Sequence, residues 1–181
     1  FWTNLNSINF IRPLSYHLFG KYARVLLMAE DSTDFPYVTH PVDTGGIGVN
    51  YKWNSGFMNY VLRYFKEDPI HRKYHHDKIT FGLVYAFNEQ FILPFSHDEV
   101  VHMKGSLVNK MPGDYFRKMA NWRLLLTLWM THPGKKLLFM GQEFAQFSEW
   151  AFQKDLDWNL FDFDAHKKAN HFFKDLAQVY R

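Results

Sequence analysis

Three short apolar runs in this chain each lead into ionisable or hydrogen-bonding residues. Phe91 to Phe95 is followed by Ser96, His97, Asp98 and Glu99; Val25 to Ala29 by Glu30 and Asp31; Leu137 to Met140, past Gly141, by Gln142 and Glu143. Carboxylates and an imidazole at strand ends are groups that exchange protons and hold polar ligands. Strands that repeatedly end this way, with helical segments between them, are what a parallel sheet needs if its loops are to converge on one polar site. Taken singly, each run is as readily an ordinary buried strand with a solvated end.

The elements that would position these groups follow from periodicity and punctuation. Asn4 caps a first helix with apolar residues at helical spacing that ends near Gly20, and Pro13 should kink or break it. Val25 to Ala29 reads as the first strand, and Asp31 to Gly48, with its Pro, Gly and Thr residues, as a long functional loop. Gly48 to Trp53 is a second strand, followed by a helix capped by Asn54 with Phe57, Val61, Tyr64 and Phe65 on one stripe and ended by Asp68 and Pro69. His71 to Lys78 reads as polar and exposed, and Thr80 to Phe87 fits helix or strand equally. Phe91 to Phe95 is the third strand. Asp114 caps a long helix from Tyr115 to Thr131, stopped by His132, Pro133 and Gly134; Leu137 to Met140 is the fourth strand, and Ala165 to Tyr180 a closing amphipathic helix.

Strand, loop and helix repeated four times describe an α/β chain that is half of a (β/α)8 barrel or part of an open parallel sheet. A whole barrel takes about 250 residues, so 181 residues with four strands suit a C-terminal half. The chain opens on Phe1 and stops at Arg181 inside a helical pattern, so both ends read as cuts.

The net charge of +3, with basic residues scattered along the chain, points to neither nucleic acid nor a membrane surface as partner. Its apolar runs are far shorter than the roughly 18 residues of a span, which implies a soluble protein. The absence of cysteine excludes disulfides and thiolate metal sites and suits a cytoplasmic location. His71 and His75 have the spacing of metal ligands on a helix, but no carboxylate stands where a metalloprotease helix needs one, so neither a metal site nor a cofactor is expected. Phe, Tyr and Trp make up 19% of the chain; most belong to the core, but rings on a cleft wall also offer flat faces to sugars.

The strings LLMAEDST, GIGVNYKWNSGFMNYVLRYFKEDPIHRKYHH, FILPFSHDEVVHMKGSLVNKMPGD and HPGKKLLFMGQEFAQFSEW resemble the glycogen branching enzymes of the alpha-amylase superfamily, over about Val25 to Trp158. The resemblance implies strands five to eight of a (β/α)8 TIM barrel with long βα loops. Glu30 becomes the general acid/base after strand five, and His97 and Asp98 become the sugar-binding pair after strand seven that stabilises the transition state. The implied partner is an α-1,4-glucan such as glycogen or amylose, and the reaction transfers a glucan chain to a 6-hydroxyl. The nucleophilic aspartate of such enzymes follows strand four in a motif of the type G-F-R-V-D. That motif is absent here, so the N-terminal half of the same barrel is a further implied partner. Three positions depart from the pattern: Pro13 lies in a helix usually free of proline, Met103 stands where the motif usually has Gly, and Phe57 replaces a frequent Trp.

Retaining cleavage of a glucosidic bond needs a proton donor, a carboxylate nucleophile and stabilisation of an oxocarbenium-like transition state. Glu30 donates only while neutral, a form that neighbouring anionic carboxylates favour by like-charge repulsion. Asp98 suits the role of an ion holding two sugar hydroxyls, with His97 donating to a neighbouring one; the alternative for the pair is a helix cap or an ion pair. Asp31, Glu99 and Glu143 read as supporting anchors. Trp53 and Tyr51 are candidates to face a sugar, or core residues, and Lys104 either binds a hydroxyl or closes its loop. A hydrolase or isomerising enzyme on α-glucans, and a non-catalytic glucan-binding module, stay open beside the branching reading.

Overall fold

A computed structural model describes residues 3–181. Its centre is a four-stranded, wholly parallel sheet in the order β1-β2-β3-β4, formed by Met28–Ala29, Tyr51–Trp53, Phe91–Phe95 and Lys135–Leu138. Five α-helices accompany it: α1 (Leu5–Lys21), α2 (Ser55–Lys66), α3 (Asp77–Val84), α4 (Tyr115–Thr131) and α5 (Asp164–Tyr180). This α/β arrangement is compatible with part of a barrel. Helices follow β2, β3 and β4, but the connection from β1 to β2 contains only a single 3-10 turn, Val42–Thr44. The fourfold strand-loop-helix repeat is therefore incomplete at its first unit.

The sheet buries one face under helices. Phe57, Val61 and Phe65 of α2, Leu93 and Phe95 of β3, and Trp122, Leu125 and Trp129 of α4 form one apolar cluster. The Trp129 indole donates to the Leu93 carbonyl at 3.0 Å, which satisfies a polar group that would be costly to bury alone. Pro94 lies in a central strand, where a missing N–H would ordinarily be unfavourable. Here β2 pairs only with Phe91 and Ile92, and Asn54 N donates to Ile92 O at 2.8 Å. Beyond that level the β2 side of β3 has no ladder, so alternation turns the proline nitrogen to a side that needs no donor.

Caps sit where the residue types place them. Asn4 accepts from Ser7 N, Asn54 from Phe57 N and Asp114 from Arg117 N, at 3.1, 2.8 and 2.9 Å. Pro13, however, neither ends nor divides α1, which is one helix through it. Contacts on both sides of the proline hold the helix: Ile8 and Ile11 pack on the Val38, Ile47 and Val49 cluster, Arg12 Nε donates to Gly46 O at 2.9 Å, and Ser15 is buried.

Pairing moves two strands from their expected bounds. β1 keeps only Met28–Ala29, with Val25 and Leu26 exposed, and β4 starts at Lys135 because its register with β3 begins at Ile92. Of the stretch from Thr80 to Phe87, residues to Val84 are helix, and Tyr85 to Phe87 turn out of it. The polar stretch from His71 to Lys78 is not uniformly exposed. Arg72 is 7% exposed, and its guanidinium donates to Asn121 Oδ1 (2.6 Å), Phe65 O (2.9 Å) and Glu67 O (3.1 Å), tying α2 to α4.

Candidate active site at one edge of the sheet

Because all four strands run the same way, the residues that follow them gather at one edge. Glu30 directly follows β1 and is exposed. His97 and Asp98 form a single 3-10 turn with Glu99 after β3, and Glu143 lies in the corresponding turn after β4. β1 and β3 are separated by one strand, so their axes lie roughly 10 Å apart at ordinary strand spacing.

His97 Nε2 lies 3.2 Å from Asp98 Oδ1, and both side chains are about half exposed, at 52% and 51%. The pair is therefore open to a ligand. The imidazole also leans on the Phe139 ring, 6.0 Å between centroids, and Phe139 N donates to Phe95 O at 2.9 Å. The ends of β3 and β4 thus share one wall. Glu30 makes no hydrogen bond or ion pair with His97 or Asp98 among the described residues.

The neighbour of Glu30 is anchored. Asp31 Oδ2 lies 3.1 Å from Lys52 Nζ, while Asp31 Oδ1 accepts from Thr33 N at 2.9 Å. Burial works against the Asp31 charge, but the Thr33 amide and hydroxyl and the Lys52 ammonium outweigh it and hold the carboxyl below its ordinary range. Lys52, only 5% exposed, completes its bonding with the carbonyls of Thr33 (2.8 Å) and Phe35 (3.2 Å). Sequence reasoning did not single out Lys52: one lysine in a strand carries no periodic signal, although its place between Tyr51 and Trp53 put it on the helix-covered face.

The remaining candidates divide. Trp53 is half-buried and lines a cleft of about 740 Å³ with Asp31, Ser32, Asp34, Asn54 and Tyr60. Tyr51 lines a separate cavity of about 610 Å³, with Phe91, Gly134, Lys135 and Tyr180 at the start of β3 and β4. The structure does not bring Tyr51 to the edge that carries Glu30. Lys104 Nζ donates to the Asp98 carbonyl at 2.7 Å, which is the loop-closing member of its two readings.

The chain is thus a parallel α/β sheet with a carboxylate after one strand and a His-Asp pair after another. No family model matches the chain. It is, however, 55% identical over 179 residues to the 1,4-alpha-glucan branching enzyme GlgB of Bacillus cereus (strain AH820), a match that takes in 99% of this chain and 28% of that protein. It is 53% identical over 180 residues to the enzyme of the same name from Geobacillus stearothermophilus, with 99% and 28% covered. GlgB 1 of Rhizobium etli is 51% identical over 178 residues, 98% of this chain and 24% of that protein. The chain is thus homologous, along nearly its whole length, to a segment of the 1,4-alpha-glucan branching enzymes, and it spans about a quarter of the length of these relatives.

Proposed function

We propose that this chain forms strands five to eight of a (β/α)8 barrel in a glucan branching enzyme, and that it works together with a first half-barrel carrying the nucleophilic aspartate. The observation that carries this reading is identity above half to proteins named as branching enzymes, over 99% of the chain. The parallel sheet supports it by setting Glu30, His97 and Asp98 at one edge, as barrel enzymes place their catalytic groups.

In the proposed reaction an α-1,4-glucan binds across that edge. Glu30, neutral, gives its proton to the departing glucosidic oxygen while the aspartate of the first half attacks the anomeric carbon and forms a covalent glucosyl ester. Asp98, ionised, and His97 hold hydroxyls of the distorted sugar. Glu30, now anionic, then takes the proton from the 6-hydroxyl of an acceptor glucan, whose oxygen displaces the aspartate and makes the α-1,6 branch. Transfer prevails over hydrolysis when the acceptor hydroxyl reaches the ester before water.

The test is product analysis with amylose, using the assembled enzyme: this chain together with the first half-barrel. Iodine staining should fall with little new reducing sugar, and α-1,6 linkages should accumulate. Reducing sugar rising in step with loss of staining would reassign the enzyme as a hydrolase.

A further inference from the structure

The turn after the His97-Asp98 pair has an unusual backbone. His102, Met103 and Gly105 adopt φ values of 56°, 62° and 71°, the left-handed region that glycine enters freely and other residues at a cost. Met103 is also 96% exposed, so neither intrinsic preference nor burial of its side chain holds it there. A conformation of that kind persists only where surrounding groups over-determine it.

Those groups come from two other segments. Glu149, in the connection after β4, accepts from Met103 N at 2.7 Å with one carboxylate oxygen and from Gly105 N at 2.8 Å with the other. Lys110 Nζ donates to Gly105 O at 3.0 Å and also to Lys104 O. Ser106 Oγ donates to Phe147 O at 3.1 Å, and Trp150 N to Val100 O at 3.0 Å, so residues 147–150 lie along the whole loop. The Gly105 amide, then that of Met103, lowers the Glu149 pKa, as expected of donors that favour the carboxylate. Between the two clamped amides stands Lys104, whose ammonium holds the Asp98 carbonyl at 2.7 Å.

We propose that Glu149 is a positioning residue for the His97-Asp98 pair: it fixes the Met103–Gly105 turn, the turn aims Lys104, and Lys104 fixes the backbone of Asp98. The inference rests on the functional reading above, since the pair it positions is the one assigned to the transition state. Nothing in the run of residues around Glu149 marks it, because its role depends on a loop more than forty residues away.

The test is a double-mutant cycle in the assembled enzyme. Glu149→Gln keeps the shape of the side chain but can accept from only one of the two amides. We expect kcat to fall by about tenfold with KM changed by less than about twofold, as for an interaction expressed in the transition state. The thermal midpoint should stay close to that of the parent. Lys104→Met should lower kcat to a similar degree, and adding Glu149→Gln to it should cost less than about a further twofold, because both act through one link. Effects that multiply, or an unchanged kcat in Glu149→Gln, would overturn the positioning role while leaving the branching assignment intact. Amide exchange at Met103 and Gly105, expected to quicken about tenfold in Glu149→Gln, reads the clamp without activity. If the parent made no branches the functional reading would fall, and with it the positioning role of Glu149; unchanged exchange would remove the clamp itself.

Discussion

At the scale of single residues, the proposed reaction gives roles to Glu30, His97 and Asp98, and an expected loss follows for two of them. In the assembled enzyme Glu30→Gln would remove the proposed proton donor, and Asp98→Asn the charge proposed to hold the sugar. Each should lower the branching rate by about 10² to 10⁴, the range of lost acid/base catalysis; near-normal turnover by either would show that its role is misassigned. A different residue contributes to the loss of stability in acid. His132 packs against Phe57, 4.4 Å between ring centroids, and burial, with Lys136 nearby as a second cause, pushes its pKa down to about 4. The unfolded chain takes up that proton near the ordinary value of about 6.5. The contribution of His132 is therefore full above about pH 6.5 and is lost as pH falls through about 4. The thermal midpoint should drop across that window, and His132→Leu should flatten the drop; an equally steep fall in the variant would place the acid sensitivity elsewhere.

At the scale of elements, what was legible in the sequence was what local chemistry decides. Phe91 to Phe95 was readable because a strand with every residue buried is a plain apolar run, and the helix from Tyr115 because Asp114 caps it. The ends of β1 and β4 were not readable, since partner and register fix them. Pro13 does not break α1, because the Arg12 bond to Gly46 and the burial of Ser15 hold the helix across it against a local penalty of about 3 kcal/mol. Arg72 was hidden for a related reason. Hydropathy places it in water, while the Phe65 and Glu67 carbonyls and Asn121 replace that water inside the fold. At the site, His97 and Asp98 stood out by type and position, whereas Lys52 and Glu149 act on partners that only the fold brings near. Arg72→Met, which strands three acceptors between α2 and α4, should cost about 3 kcal/mol and lower the thermal midpoint; a midpoint within a degree of the parent would show those bonds to be replaceable by water.

At the scale of the whole molecule, the sheet is covered unevenly: every residue of β3 is buried, whereas Met28 of β1 is exposed. At its first edge Leu26, just before β1, and Met28 are exposed, with Met140 beyond β4, and the α3 region adds Phe81, Val84 and Phe87. Unpaired edges and apolar patches of this extent recruit other chains. The 181-residue chain alone should therefore self-associate, and a separately produced first half-barrel should reduce this by completing the sheet. Sedimentation as a compact monomer that binds no hydrophobic dye would favour a self-contained open sheet over a half-barrel.

The central claim is that this chain holds the acid/base and the sugar-holding pair of a branching enzyme but not its nucleophile. It is tested most directly by assaying amylose branching for the chain alone, for the chain mixed with the first half-barrel, and for that mixture with Glu30→Gln. The expected result is no turnover from the chain alone, branching from the mixture, and its loss in the Glu30→Gln mixture. Turnover by the purified 181-residue chain above that of its own Glu30→Gln variant would contradict it.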